Sequence, residues 1–263
     1  MSSQELVNNL GSLKKRGAFD NADLKKAIDA KLEEAKTSKR VAALKTTVAK
    51  SAANLDEETQ KKLDDIGDTQ IKAKGRISAP TAMIIDKSGS MNVAIEVGKH
   101  MGAMVSAVMD APFYAYACDT MAYPIQSKGT DLASWQAAFN GIGASGGTSC
   151  GVGIEMLRRQ KQYVEQIIMV TDEGENQSPP FLTSLQNYMK DMNVAPRIVF
   201  VKCGHASNML EEKCQRNNIE YEAYTFNGDY YSLPNLIQFL SKPGKIDLLM
   251  EIMSYPLPER KAA

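Results

Sequence analysis

Thr81-Ala82-Met83-Ile84-Ile85-Asp86-Lys87-Ser88-Gly89-Ser90-Met91 is the stretch on which the reading of this sequence turns. It begins as an apolar run and ends in polar oxygens. Continuous apolar runs of this kind suit strands covered on both faces of a mostly parallel sheet. Just past the run, a carboxylate and two hydroxyls stand at alternate positions, Asp86, Ser88 and Ser90, with Gly89 allowing a tight turn. Hard oxygens with no nearby His or Cys suit a hard cation such as Mg²⁺ rather than zinc. Two neutral hydroxyls bound directly leave such a site short of negative charge, so the cation stays electrophilic and recruits a carboxylate from outside.

Downstream of this stretch, strands and helices alternate. A long helix is expected from about Val93 to Asp110, then short strands at Phe113 to Cys118 and Ala122 to Ile125. Leu132 to Phe139 reads as helix, Gly141 to Gly147 as a glycine-rich loop, and Ile154 to Gln160 as helix. Glu165 to Val170 is the next buried strand, ending at Thr171-Asp172. Helix is expected at Pro180 to Met192 and Asn208 to Asn217, strand at Arg197 to Cys203 and Tyr221 to Phe226, and closing helices at Leu236 to Leu240 and Ile246 to Met253. The expected fold class is α/β: a doubly wound, mostly parallel sheet with helices on both faces, in residues 77–263. In such sheets the functional groups sit in loops at the carboxyl ends of strands. Asp86 and Asp172 fall there, and Gly146-Gly147-Thr148-Ser149 adds a hydroxyl on the glycine-rich loop.

Residues 1–76 differ in composition, with no Trp, Tyr or Pro and many Ala, Lys, Asp and Glu. Leu24, Ile28 and Leu32 recur at helical spacing behind the N-cap supply Asp20-Asn21-Ala22-Asp23. Val41, Leu44 and Val48 repeat the pattern. A further helix opens at Asn54-Leu55-Asp56-Glu57-Glu58, with Leu63 and Ile66 as its stripe. A small all-α segment of three or four helices precedes the sheet domain. Its stripes are narrow, so the helices pack on the main domain, a second copy or a partner, or else form a solvated arm.

Taken together, Asp86-x-Ser88-x-Ser90, Gly146-Gly147-Thr148 and Thr171-Asp172 resemble the metal-ion-dependent adhesion site of the von Willebrand factor A family. The resemblance covers about Ile77 to Met253. Asp86-x-Ser88-Gly89-Ser90-Met91, Gly146-Gly147-Thr148-Ser149-Cys150 and Thr171-Asp172-Glu173 look most like its intracellular members, such as the A domain of the Ro ribonucleoprotein autoantigen. The resemblance implies that Ser88 and Ser90 ligate the metal directly and Thr148 directly or through water, with Asp86 and Asp172 acting through bridging waters. It also implies Mg²⁺, or Mn²⁺ or Ca²⁺, with an open position for an Asp or Glu of a protein partner. By the same analogy, the last helix, Ile246 to Met253, would couple the metal site to a distant surface. Ro carries a large helical ring before its A domain, whereas here some 76 residues precede the sheet domain, so RNA binding is not carried over. Lys87, inside the motif, is expected to compete electrostatically with the metal.

Blander readings stand beside these. Asp and Ser favour turns unaided. Glu173 and Glu175 read as solvated loop carboxylates, and Asp119 as either a rim residue or a strand-end cap. Gly141-x-Gly143-x-x-Gly146 matches a dinucleotide fingerprint but follows a helix rather than a strand. Gly143-x-Ser145-x-Gly147 matches a hydrolase elbow, and Ser145, Asp172 and His205 even follow the hydrolase order, but no strand precedes the serine. His100 reads as a packing or surface residue, His205 as a polar loop residue near the site. No catalytic complement is evident, so the expectation is a non-enzymatic interaction module. The alternatives are a ribonucleoprotein component and a metal-assisted hydrolase using Asp172 or Glu173 as base.

Lys plus Arg equals Asp plus Glu, at 31 each, so no global field favours nucleic acid or an anionic membrane. Cys118, Cys150, Cys203 and Cys214 form no zinc-type pair, with Cys118 and Cys203 expected as small buried hydrophobes. No apolar run approaches the ~20 residues of a membrane span, and the first residues carry no apolar secretory core. A cytoplasmic location is expected.

Overall fold

The computed structural model describes residues 1–37, 55–242 and 245–255. Val41, Leu44, Val48 and Asn54 lie outside them. Six strands form one sheet: β1 (Thr81–Asp86), β2 (Phe113–Cys118), β3 (Ala122–Ile125), β4 (Gln166–Thr171), β5 (Arg197–Lys202) and β6 (Tyr221–Thr225). Their order is β3-β2-β1-β4-β5-β6, parallel throughout except for β3, which runs antiparallel to β2. The apolar runs are buried strands for the expected reason. In β1, Met83 and Ile85 face one core while Ala82 and Ile84 face the other. Ile168 and Val170 against Ile167 and Met169 repeat this division in β4, as do Val199 and Val201 against Ile198 and Phe200 in β5. A strand with period-two side chains and a core on each side has no polar face to offer, which is why the runs are continuous.

In chain order the helices are α1 (Ser3–Lys15), α2 (Ala22–Thr37), α3 (Glu57–Lys72), α4 (Asn92–Val108), α5 (Leu132–Ala138), α6 (Val152–Arg159), α7 (Phe181–Met192), α8 (Met209–Arg216), α9 (Leu236–Leu240) and α10 (Lys245–Ser254). One sheet face carries α4, α5 and α9, with the 3₁₀ turn Tyr230–Asn235; the other carries α6, α7 and α8. From β1 the chain winds through α4 to β2 and β3, then returns through α5 and α6 to β4 on the opposite side of β1. The winding reverses between β1 and β4, and the loops leaving their carboxyl ends flank the crevice that this reversal creates.

The described helices of the N-terminal unit do not form a solvated arm, and one of the expected packings holds in part, since Ile71 packs on the main domain. They pack on one another through Leu6, Val7, Leu10, Ile28, Leu32 and Leu63, a core distinct from both sheet cores. Helix α1, which the stripe reading passed over, has a full capping box. The Ser2 hydroxyl accepts the Glu5 N–H at 3.2 Å, and the Glu5 carboxylate accepts the Ser2 N–H at 2.7 Å. Leu24 departs from its stripe and is exposed, while Ile28 and Leu32 are buried. Helix α3 leads into the sheet domain. Ile71, near its end, joins the core under α4, Arg76 pairs with Asp110, and Ile77 bridges Met109. At the other end of the chain, α10 exposes Leu249, Met250, Ile252 and Met253.

Candidate metal centre

Sheet register brings the motif residues to one edge. Asp86 ends β1 opposite Cys118 of β2. On the other side Ile85 pairs with Val170, so Thr171 lies beside Asp86 and Asp172 opens the next loop. The Asp86 carboxylate is held at both oxygens. Oδ1 accepts the Ser88 N–H at 2.8 Å, which closes the turn that presents Ser88, and Oδ2 accepts the Thr171 hydroxyl at 3.0 Å. Burial pushes its pKa above the ordinary carboxylate value, with the hydrogen bonds from Ser88 and Thr171 opposing the shift. Ser88 and Thr148 are buried, Asp172 is half-buried and Ser90 is exposed.

The glycine-rich loop closes the third side. The Gly89 N–H donates to the Gly146 carbonyl at 3.2 Å, joining the two hydroxyl-bearing loops. The Thr148 backbone is fixed from the β4 side: its N–H donates to Asn176 Oδ1 at 2.9 Å, and its carbonyl accepts the N–H groups of Asn176 and Gln177. Thr148 so held lines a cavity of about 10 Å³, room for about one water, together with Asp86, Thr171, Cys118 and Cys150. The hydroxyls of Ser90 and Thr148 make no hydrogen bond among the described residues.

Asp86, Ser88, Thr148 and the strand end before Asp172 are thus brought together, with Ser90 at the exposed lip. Among the described residues, no group of three or more His, Cys, Asp or Glu is placed to hold a metal. The donor set is a mixture of carboxylates and hydroxyls, and those hard oxygens suit a hard divalent cation.

Thr171 belongs to this site and was passed over in the sequence. Its hydroxyl donates to Asp86 and accepts the Glu173 N–H at 3.0 Å, so it orients the carboxylate from behind. The available signal was its place as the last residue of a buried strand, where a hydroxyl needs a partner.

Glu173 and Glu175 are corrections. Neither is a solvated loop carboxylate. Glu173 is fully buried, with a positive φ of 64°, and its Oε2 accepts the N–H groups of Leu210 and Glu211 at the start of α8. Its Oε1 lies 3.4 Å from the Lys202 amine. Glu175 accepts the Phe181 N–H at the start of α7 and pairs with Lys213. Both are helix caps, favoured by the positive end of the helix dipole.

Asp119 is a buried strand-end residue. Its Oδ1 accepts the Met121 N–H at 2.8 Å, and Oδ2 pairs with the Lys87 amine. Lys87 is itself buried, its amine on the Asp119 carboxylate and the Ser145 hydroxyl. Ser145 lies in a loop after α5 with no strand before it, as expected of a false elbow. His100 packs on the Tyr230 ring at 4.8 Å, and His205 is exposed in the loop after β5. All four cysteines are buried free thiols, and burial pushes Cys203 and Cys214 up to about 12.

The doubly wound sheet, with its polar cluster at the β1/β4 switch point, has a von Willebrand factor A-like fold, as the likeness to solved structures shows. The chain is similar to the Ro (RSR) protein of Deinococcus radiodurans, with 16% identity and a TM-score of 0.63, over 92% of this chain and 53% of that one. It therefore spans about half the length of that protein. A share of 92% exceeds what residues 77–263 supply, so the likeness takes in part of the helical unit as well. Other similar structures are a von Willebrand factor type A protein from Catenulispora acidiphila (18% identity, TM-score 0.48, 63% of this chain and 42% of that one) and proximal thread matrix protein 1 of the mussel byssus with a zinc-occupied adhesion motif (14%, 0.47, 64% and 48%). No protein-family model matches the sequence, and no curated protein does. Among the described residues, no helix is long and apolar enough to cross a membrane.

Proposed function

We propose that this chain is a non-enzymatic interaction module that holds a divalent cation, Mg²⁺ in the first instance and Mn²⁺ or Ca²⁺ by the same donor chemistry, against a carboxylate of a protein partner. The observation that carries the reading is Asp86. Its carboxylate is buried, oriented by Ser88 and Thr171, and set beside hydroxyls on two loops that are themselves tied together. Hydrogen bonds within the protein thus fix the carboxylate's orientation, as partners of metal ligands do. Ser88, Ser90 and Thr148 would supply neutral oxygens, and Asp86 and Asp172 the charge. A bound cation supplies an electrophilic position that a partner's Asp or Glu fills. A cytoplasmic setting agrees with the four free thiols.

Isothermal titration of wild type and of Ser88→Ala/Ser90→Ala with Mg²⁺ and Mn²⁺ tests the reading. Saturable binding that disappears in the double variant supports it; a wild type that takes up neither ion at millimolar concentration refutes it. A ribonucleoprotein role is the second reading, favoured by the likeness to a Ro protein that extends into the helical unit. A salt-dependent shift of RNA by the full chain would support it.

A further inference from the structure

Between Asp86 and Ser90 stands one residue whose side chain the metal-site reading does not use, Lys87. It is held from every side. Its N–H donates to the Cys118 carbonyl and its carbonyl accepts the Ser145 N–H, both at 2.8 Å. Its side chain is 6% exposed, and the amine lies 3.1 Å from the Ser145 hydroxyl, 5.0 Å from the centroid of the Tyr123 ring, and in contact with the Asp119 carboxylate. Asp119 is as deeply placed, with a side chain 8% exposed. Its carbonyl accepts the Ser149 N–H at 2.9 Å, and a Cβ added to Gly146 would come within 3.4 Å of its own Cβ and 3.5 Å of Oδ2. A buried carboxylate thus lies against the same loop that carries Thr148, and a single ammonium neutralises it.

We propose that Lys87 sets the charge of the metal site: by holding Asp119 as a neutral pair, it limits the carboxylates acting on the cation to Asp86 and Asp172 and so reserves the cation for a carboxylate from outside. The proposal rests on the metal-binding reading. A third free carboxylate beside a divalent ion would tighten the ion's binding while weakening its pull on an incoming anion, because both effects come from one Coulomb field. Lysine inside the motif therefore does not compete with the metal as a naked charge. Its charge is spent on Asp119.

Removing either partner separates this role from that of a strap between loops. In Mn²⁺ titrations of wild type, Lys87→Met, Asp119→Asn and Lys87→Met/Asp119→Asn, the two single variants are expected to move in opposite directions. Lys87→Met frees a carboxylate and should bind Mn²⁺ about fivefold more tightly, and Asp119→Asn frees a cation and should bind about fivefold more weakly. The double variant should return near wild type. Acetate displacement of metal-bound water, read by water-proton relaxation, should be weakened in Lys87→Met although the metal is held more tightly. If both single variants lose affinity and the double variant does as well, the pair is a strap only and the proposal falls. Wild type that fails to bind Mn²⁺ overturns the metal-site reading and this proposal with it. Should Lys87→Met not fold, Asp119→Asn and the double variant still carry the comparison, with Lys87→Arg expected to match wild type.

Discussion

Thr171 is the residue on which the geometry of Asp86 most depends, because it supplies the hydrogen bond on the oxygen that Ser88 does not reach. Thr171→Val keeps the shape and removes the hydroxyl. Mn²⁺ affinity should fall about tenfold, in the range seen when partners of metal ligands are lost, and an unchanged affinity in calorimetry would mean that Ser88 alone fixes the carboxylate. The same substitution leaves the Glu173 N–H without its acceptor, at a cost to stability of about 1–3 kcal/mol. His100 carries a second prediction at this scale. Its Nδ1 is buried without a partner, and burial lowers its pKa below the ordinary 6.5, with Glu96 opposing and Lys99 assisting the shift. The folded state resists a proton that the unfolded chain accepts. Stability is therefore at its full value above about pH 6.5 and falls as the pH drops through that value toward the depressed folded pKa. In thermal melts from pH 7.5 to 5, His100→Phe should show a shallower loss than wild type; equal slopes would place the proton uptake elsewhere.

Among the elements, α8 starts on a carboxylate that comes from another loop. Glu173 caps the N–H groups of Leu210 and Glu211 from 37 and 38 positions away, and a sequence pattern for caps looks only a few residues upstream. That is why Glu173 read as a solvated neighbour of Asp172. The strands were legible for the opposite reason: burial on both faces is written into consecutive residues such as Met83, Ile84 and Ile85. Asp86, Ser88 and Ser90 were legible because their chemistry sits in one turn, whereas Thr171 acts through a strand 85 positions away. Glu173→Ala should cost about 1–3 kcal/mol in urea unfolding and speed amide exchange at Leu210 and Glu211, while metal affinity stays near wild type. Exchange confined to α7 would contradict that assignment. Helix α4 meets α5 at Gly102, where an added Cβ would lie 2.2 Å from the Trp135 ring. Gly102→Ala should therefore destabilise by about 1–3 kcal/mol, and the chain's single tryptophan reports it directly by a changed emission maximum.

Across the whole molecule, two bodies with separate cores meet at α3. The narrow stripes of residues 1–76 looked insufficient to bury one another because each helix was judged alone. Leu10, Leu32 and Leu63 are nevertheless fully buried, since the stripes of α1, α2 and α3 share one core. Among the described residues, several contacts join this core to the sheet domain. Ile71 sits under α4, Arg76 pairs with Asp110, Lys74 contacts Asn235, and Ile77 continues past Met109. The Asp86 site lies at the carboxyl ends of strands whose own cores do not include the helical unit's leucines. Leu63→Ala should therefore cost about 2–5 kcal/mol within the helical unit. It should appear as an early transition in far-ultraviolet melts of the full chain, while the later transition and the Mn²⁺ isotherm stay where they are. If Mn²⁺ affinity falls together with the early transition, the two bodies are coupled through α3 and α4, and the helical unit would then act on the metal site rather than merely stand beside it.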